Sequence, residues 1–328
     1  MNNNFQIVID TMGSDKGPEA IVLGASLLLK EIPDLKVVLV GEQSLIEQEM
    51  KKNEMDSSRV KIINTDCTIT NLDNIVNAFY DKPNASVLLA LKELSENDNA
   101  IGMLSAGNSG AIIVGTIKYL RTEDLQRPCM AAILPAMDGS FTCLVDTGAT
   151  IDCSSKQLHD FARLGRDFMR DLYKIENPRV GLLSNGAEPT KGNKLVKETH
   201  QILAADESIN FIGNVEGNKA LSGCCDVLVA DGFDANQVLK VTEGTAERII
   251  RDIVIYSKKN NRPDLMPLVQ HLMQTYDISS LGGGIVLGAK KTVIKCRGNS
   301  GELAILNTGK ILINLASNRA MYGGKQYV

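Results

Sequence analysis

Short apolar runs recur along this chain, each followed by a cluster of small polar residues and then by a stretch with apolar positions three and four apart. Residues 5–9, 36–40 and 60–63 predict strands, and 19–30 and 43–51 predict helices, with Pro18 placed for a first helical turn. Residues 65–84 are polar and irregular, either a mobile loop or an outlying helix, and 86–94 predict a helix. A strand over 100–104 then meets the turn Ser105-Ala-Gly-Asn-Ser-Gly110 and a helix whose apolar face is Ile112, Ile113, Thr116, Ile117 and Leu120. Such an alternation of strand and helix predicts an α/β fold with a parallel sheet covered on both faces.

Beyond Pro128, residues 130–134 and 141–145 predict two strands in a hairpin-like insertion turned at Asp138-Gly139. Residues 158–173 form an amphipathic helix, 179–183 a strand, 195–205 a helix, 211–213 a short strand and 226–230 another strand. A long helix over 236–257 carries Leu239, Thr242, Ala246, Ile249, Ile250, Ile253 and Val254 on one face, and a shorter one follows over 265–276. After the glycine-rich stretch 282–288 come a strand over 292–296 and a closing helix through Leu315. No linker, repeat or low-complexity tract divides the chain, so a single domain over 1–328 is expected, with a protruding helical pair at about 236–276.

Composition narrows the function classes. The 328 residues are 44% hydrophobic, enough for a sizeable core, and the net charge of −4 argues against general nucleic-acid binding. Cys67, Cys129, Cys143, Cys153, Cys224, Cys225 and Cys296 lack any C-x-x-C pair and read as reduced thiols of a cytosolic protein. His159, His200 and His271 show no metal-ligand spacing, so neither a metal nor another cofactor is expected. No apolar run approaches the roughly 20 residues that span a bilayer, and the first residues have no signal-peptide pattern. A cytoplasmic protein is expected, with contact at a membrane surface left open.

Five strand ends collect small polar residues: 10–15, 105–110, 146–150, 185–193 and 231–236. In an open parallel sheet such loops converge, and ligands bind beyond the carboxyl ends of the strands. The 105–110 turn is neither a Walker A loop nor G-x-G-x-x-G. Gly107 and Gly110 let a phosphate approach unpaired helix N–H groups, or they serve the turn alone with Asn108 or Ser109 as N-cap. Lys191 supplies the charge that a phosphate or a developing oxyanion needs, or is a solvated lysine; Asn236 is an N-cap or a donor to substrate. No Ser-His-Asp order, nucleophile elbow or Cys-His pattern appears, so direct attack by a bound substrate is the simpler chemistry.

Taken together these loops resemble the bacterial acyl-carrier-protein:phosphate acyltransferases of phospholipid synthesis, the PlsX family. The carrying stretches are IDTMGSDKGPEAI (9–21), GMLSAGNSGAI (102–112), LVDTGATIDC (144–153), NPRVGLLSNGAEPTKGNKLVKE (177–198), NFIGNVEGN (210–218) and DVLVADGFDANQVLK (226–240). The resemblance implies a Rossmann-like three-layer α/β/α sandwich, like the isocitrate and isopropylmalate dehydrogenases and phosphotransacetylase. It implies a homodimer with the helical pair at the subunit interface. The implied reaction is attack of inorganic phosphate on a long-chain acyl carrier protein thioester, giving acyl phosphate for glycerol-3-phosphate acyltransferase at the inner face of the membrane.

Lys191 and Asn236 match the lysine and asparagine proposed for the family site. Substrate-binding candidates are Asp10, Gly13, Asp15, Ser105, Gly107, Asn108, Ser109, Asp146, Gly192, Asn193 and Asp231. The family patterns G-G-D-H-A-P and H-G-S-S read Gly13-Ser-Asp-Lys-Gly-Pro18 and Arg297-Gly-Asn-Ser300 here, so cations at Lys16 and Arg297 replace two histidines. Its D-x-G-A-N and G-F-x-G-N read Asp146-Thr-Gly-Ala-Thr150 and Gly232-Phe-Asp-Ala-Asn236. An acidic carrier protein calls for a local basic patch, for which Lys290, Lys291, Lys295 and Arg297, or Lys258, Lys259 and Arg262, are candidates. Two other readings are a coenzyme A-dependent phosphate acetyl- or butyryltransferase and an inactive carrier-protein or membrane scaffold.

Overall fold

The computed structural model describes residues 5–123, 125–276 and 283–321. They fall into two compact units, one from the stretches 1–128 and 282–328 and the other from 129–281.

In the first unit the chain runs β1 (Gln6–Asp10), α1 (Gly17–Glu31), β2 (Lys36–Gly41), α2 (Gln43–Lys52), β3 (Val60–Asn64), α3 (Ile75–Asp81), α4 (Ser86–Glu96), β4 (Ala100–Ser105) and α5 (Ser109–Leu120). The second unit holds β5 (Cys129–Pro135), β6 (Phe141–Val145), α6 (Ser155–Tyr173), β7 (Arg179–Ser184), α7 (Lys194–Ala205), β8 (Asn210–Glu216), β9 (Val227–Val229), α8 (Gly232–Lys259) and α9 (Met266–Thr275). The chain then returns to the first unit with β10 (Gly284–Leu287), β11 (Thr292–Lys295) and α10 (Glu302–Met321).

Strand order in the first unit is β3-β2-β1-β4-β11-β10, parallel except for the last pair. The expected apolar runs fill its centre: Ile7, Val8, Val38, Leu39, Met103, Leu104, Val293 and Ile294 are all shielded from solvent. Helices α1 and α10 pack together, as do α4 and α5, and β4 is covered by both α4 and α10. Two glycines set the spacing of α1 and α10. A Cβ at Gly24 would stand 2.8 Å from Glu302 O, and one at Gly309 would stand 2.6 Å from a Leu28 methyl. Close helix approach needs those side chains absent.

Strand order in the second unit is β5-β6-β9-β7-β8, with the expected β5–β6 hairpin antiparallel and the other pairs parallel. Alternation along the strands divides the faces. Val145 and Val227 approach Gly165 of α6, whereas Leu144 and Leu228 share an apolar cluster with Ala235 and Leu239 of α8. Helix α6 starts on a capping box in which Ser154 and Gln157 satisfy each other's backbone N–H.

Several expected boundaries move. The long helix begins at Gly232 rather than 236, because Asp231 caps it by accepting from Asp234 N at 2.8 Å. Asn236 is therefore inside the helix and is not its cap. Asn108 rather than Ser109 caps α5. The polar stretch 65–84 contains α3, the outlying helix of the two alternatives, and β8 is longer than the expected 211–213. Strand β10 has no counterpart among the expected elements, and residue 282 of that stretch lies outside the described residues. Helices α8 and α9 pack on each other as the expected pair. Among the described residues no helix is long and apolar enough to cross a membrane.

Candidate active site

Parallel pairing puts the carboxyl ends of β1 and β4 side by side, with Asp10 in register with Ser105. The two side chains meet: Ser105 Oγ donates to Asp10 Oδ2 at 2.7 Å, and the same Oγ accepts from Gly107 N at 3.0 Å. Asp10 Oδ1 accepts from Met12 N at 3.1 Å. The carboxyl is 1% exposed. Burial pushes it from 3.8 up to about 6, against the Ser105 and Ser86 hydroxyls, the Met12 amide and the charge of Lys295, which all pull it down.

Gly13 and Gly107 allow the two loops to cross. A Cβ on Gly13, at φ +76°, would stand 2.8 Å from Gly107 Cα. Asn108 accepts from Ala111 N as the cap of α5, and its amide donates to Thr70 O at 3.3 Å and Asn71 Oδ1 at 3.0 Å. The cap thus ties the 65–84 stretch to this strand end, while Ser109 beside it is exposed. Asp15 is held elsewhere: its N–H donates to Gly298 O at 2.8 Å, joined by Ser14 Oγ at 3.1 Å. A Cβ on Gly301 would stand 3.3 Å from Lys16 Nζ, so the loops that carry Lys16 and Arg297 lie together.

In the second unit the loops after β6, β7 and β9 leave neighbouring parallel strands on the same side. Asp146 is buried, and its Oδ1 accepts from Met130 N at 2.7 Å and Ala149 N at 3.1 Å, while Oδ2 accepts from Thr150 N at 2.6 Å. Burial raises this carboxyl and the backbone amides lower it. It braces its loop from within. Against that loop stands α8, where Gly232 N donates to Thr150 O at 2.8 Å and Asn236 Nδ2 donates to Thr147 O at 3.1 Å. One amide donor of the half-buried Asn236 is thus used for orientation, and its Oδ1 has no partner among the described residues.

Lys191 lies in the loop after β7. Its N–H donates to Glu188 O at 3.0 Å, and Gly192 N donates to Asn185 Oδ1 at 2.9 Å. Asn193 caps α7 by accepting from Val196 N at 2.9 Å. The lysine stem crosses Gly186, where a Cβ would stand 2.7 Å from Lys191 Cγ. No hydrogen bond or ion pair among the described residues holds the exposed ammonium. A charge with no internal partner, on a loop pinned at both sides, is available to an anion.

Each unit therefore gathers its own expected residues: Asp10, Gly13, Ser105, Gly107, Asn108 and Ser109 in the first; Asp146, Asp231 and Asn236, with Lys191, Gly192 and Asn193 on the adjoining strand, in the second. Asp15 stands apart at the 297–301 loop. Sequence reasoning missed Thr147, whose carbonyl orients Asn236, and Asn214 of β8, which donates to Glu188 O. Of the basic candidates, Lys291 donates to Leu94 O and Asn97 O at 2.8 Å, and Lys295 donates to Cys296 O, so both are committed inside the first unit. Lys258 and Lys259 are exposed, and Arg262 pairs with Asp264. Among the described residues no group of three His, Cys, Asp or Glu is placed to hold a metal ion.

Comparison with known proteins places this chain among phosphate acyltransferases. The family described as fatty acid synthesis protein matches residues 5–320. A phosphate acyltransferase of Streptococcus pneumoniae is 38% identical over 310 residues, covering 92% of each chain. One from Streptococcus equi subsp. zooepidemicus is 38% identical over 312 residues, covering 93% of this chain and 92% of that one. Among solved structures, a phosphotransacetylase from Streptococcus pyogenes aligns with a TM-score of 0.67 at 16% identity, covering 98% of this chain and 95% of that one. That likeness shows the fold. The chain belongs to the PlsX family of phosphate acyltransferases, and it is a phosphate acyltransferase of fatty acid synthesis.

Proposed function

We propose that the enzyme transfers a long-chain acyl group from acyl carrier protein to inorganic phosphate. A phosphate oxygen attacks the thioester carbonyl, the C–S bond breaks, and the carrier thiolate leaves and takes up a proton; the acyl phosphate is the product. Lys191 supplies the positive charge for the phosphate or for the oxyanion that develops on the carbonyl, and Asn236 orients one of them through its second amide N–H. Asp10, Gly13, Asp15, Ser105, Gly107, Asn108, Ser109, Asp146, Gly192, Asn193 and Asp231 shape the substrate-binding loops, Asp146 and Asp231 by bracing backbone rather than by touching a ligand.

The observation that carries this reading is the ammonium of Lys191, without an internal partner, on a loop whose turn and helix cap are both closed. The family match runs unbroken through both units, which supports one catalytic domain over the chain. Acyl phosphate is consumed by a glycerol-3-phosphate acyltransferase at the membrane. The acidic carrier protein docks on Lys258 and Lys259 at the end of α8, and the exposed Val241, Ile249, Leu268 and Met273 of α8 and α9 form a homodimer interface. A protein of this kind works in the cytoplasm, peripheral to the inner membrane face.

The test is release of free carrier protein from palmitoyl carrier protein, with and without phosphate, beside palmitoyl coenzyme A. Phosphate-dependent release that prefers the carrier protein and falls by about 10²–10³ in Lys191→Ala is the expected result. Preference for coenzyme A replaces the donor, and binding of the carrier protein without turnover by either donor favours the scaffold reading.

A further inference from the structure

The loop that presents Lys191 rests on a set of side chains that the proposed chemistry does not use. The Glu188 carbonyl closes the turn by accepting from Lys191 N at 3.0 Å, and it accepts again from Asn214 Nδ2 at 2.9 Å. Asn214 Oδ1 meets His200 Nδ1 at 2.9 Å. Asn214 comes from β8 and is 8% exposed; His200 comes from α7, with its ring edge-on to Phe211 at 5.0 Å between centroids. Lys191 N and Asn214 Nδ2 thus share one peptide oxygen, and His200 of α7 holds the other end of the asparagine.

Chemistry fixes the direction of every bond in this set. A carbonyl only accepts, so Asn214 turns its amide nitrogen toward Glu188 and its oxygen toward His200. His200 Nδ1 must then carry the proton and donate. An asparagine held at both ends cannot rotate, and the carbonyl it holds is the one that closes the turn under Lys191.

We infer that Asn214 and His200 are positioning residues for Lys191. They act through the Glu188 carbonyl, which sets where the lysine backbone stands and hence where its ammonium is delivered. A lysine has a flexible four-carbon stem with many rotamers, so fixing its root matters to the geometry at its tip. Gly186 contributes from below, since the stem crosses it where any Cβ would collide. The inference rests on the reading of Lys191 as the charge that serves phosphate or the oxyanion.

The experiment measures phosphate-dependent release of carrier protein from palmitoyl carrier protein by the intact enzyme, varying phosphate and acyl donor separately. Asn214→Ala is expected to lower kcat/KM for phosphate about tenfold, the effect of one lost hydrogen bond, while the KM for the acyl donor barely moves. His200→Phe should move the same parameter in the same direction, and His200→Asn, which returns an N–H donor near the place of Nδ1, should restore it. If Lys191→Ala is slow while Asn214→Ala and His200→Phe match wild type, the positioning inference fails alone. If Lys191→Ala itself matches wild type, the reading of Lys191 fails and this inference goes with it. Should Asn214→Ala not fold, the two His200 variants decide: equal phosphate kinetics in both overturn the inference.

Discussion

Asp10 in the first unit and Asp146 in the second occupy like positions, each buried where a strand gives way to a loop, and they are solvated in unlike ways. Asp146 is met by the backbone N–H groups of Met130, Ala149 and Thr150, none of which can rotate or become an acceptor. Asp10 is met by one backbone N–H and by hydroxyls, which can turn and exchange donor for acceptor. Burial raises both carboxyls, and Asp10 reaches about 6. The difference teaches that a buried aspartate clasped by amides is a brace, whereas one clasped by hydroxyls can hold or release a proton near neutrality.

The sharpest way to break that comparison is at Asp146. Asp146→Ala leaves two buried N–H groups and a half-buried one unpaired, and at about 1–3 kcal/mol each the loss should reach about 4 kcal/mol or more. Urea unfolding of the variant measures it. Asp146→Asn should still cost about 2 kcal/mol, because it turns an NH2 toward either Thr150 N or the Met130 and Ala149 amides, donor against donor. An Asp146→Asn protein as stable as wild type would mean that the amide clasp is not what holds the loop.

At Asp10 the same change should behave in the opposite way. Ser105 Oγ can accept from an asparagine amide as readily as it donates to a carboxylate, so no donors collide. What changes is the response to pH. The native carboxyl keeps its proton up to about 6, while the unfolded chain releases it near 3.8. Between those values the native state binds more protons, so the stability of the wild type falls as pH rises, by about 3 kcal/mol across the window, and is fully kept only below it. Asp10→Asn removes that slope. Unfolding curves measured from pH 3.5 to 7 should show the variant gaining on wild type by about this amount, and parallel curves would overturn the assignment.

The strands were legible because runs such as 36–40 are apolar without interruption, and the α5 cap was legible as one of two residues, Asn108 or Ser109, of which Asn108 takes the place. Where sequence failed, tertiary packing had overridden local signals. Gly232 and Asp234 look like turn formers after Asp231, yet Ala235 and Leu239 bury against Leu144 and Leu228 and draw the helix back to Gly232. The short α3 forms in a polar stretch because Ala78 is buried and Lys118 of α5 stands 4.7 Å over Phe79. Strand β10 hides in glycines that read as loop. At the candidate site, motif could nominate Lys191 and Asn236, but the bond from Asn214 to Glu188 joins a side chain to a peptide oxygen 26 residues away. No spacing rule shows that.

The smallest expected effect sharpens the comparison most finely. Ser105 both donates to Asp10 at 2.7 Å and accepts from Gly107 N at 3.0 Å, and it is the strongest of the groups that pull the Asp10 carboxyl down. Ser105→Ala should cost about 1 kcal/mol near neutral pH, where the carboxylate loses a donor and the Gly107 amide loses its acceptor. It should cost less in acid, where the Asp10 carboxyl is protonated and no longer calls on the hydroxyl as a donor. The two facts together require the fall in stability with rising pH to extend above 6 in the variant, since the native carboxyl now keeps its proton longer. Unfolding followed from pH 5 to 8 reads this directly. An upper limit that does not move would show that burial alone sets Asp10, and the hydroxyl clasp would then be no different in kind from the amide clasp at Asp146.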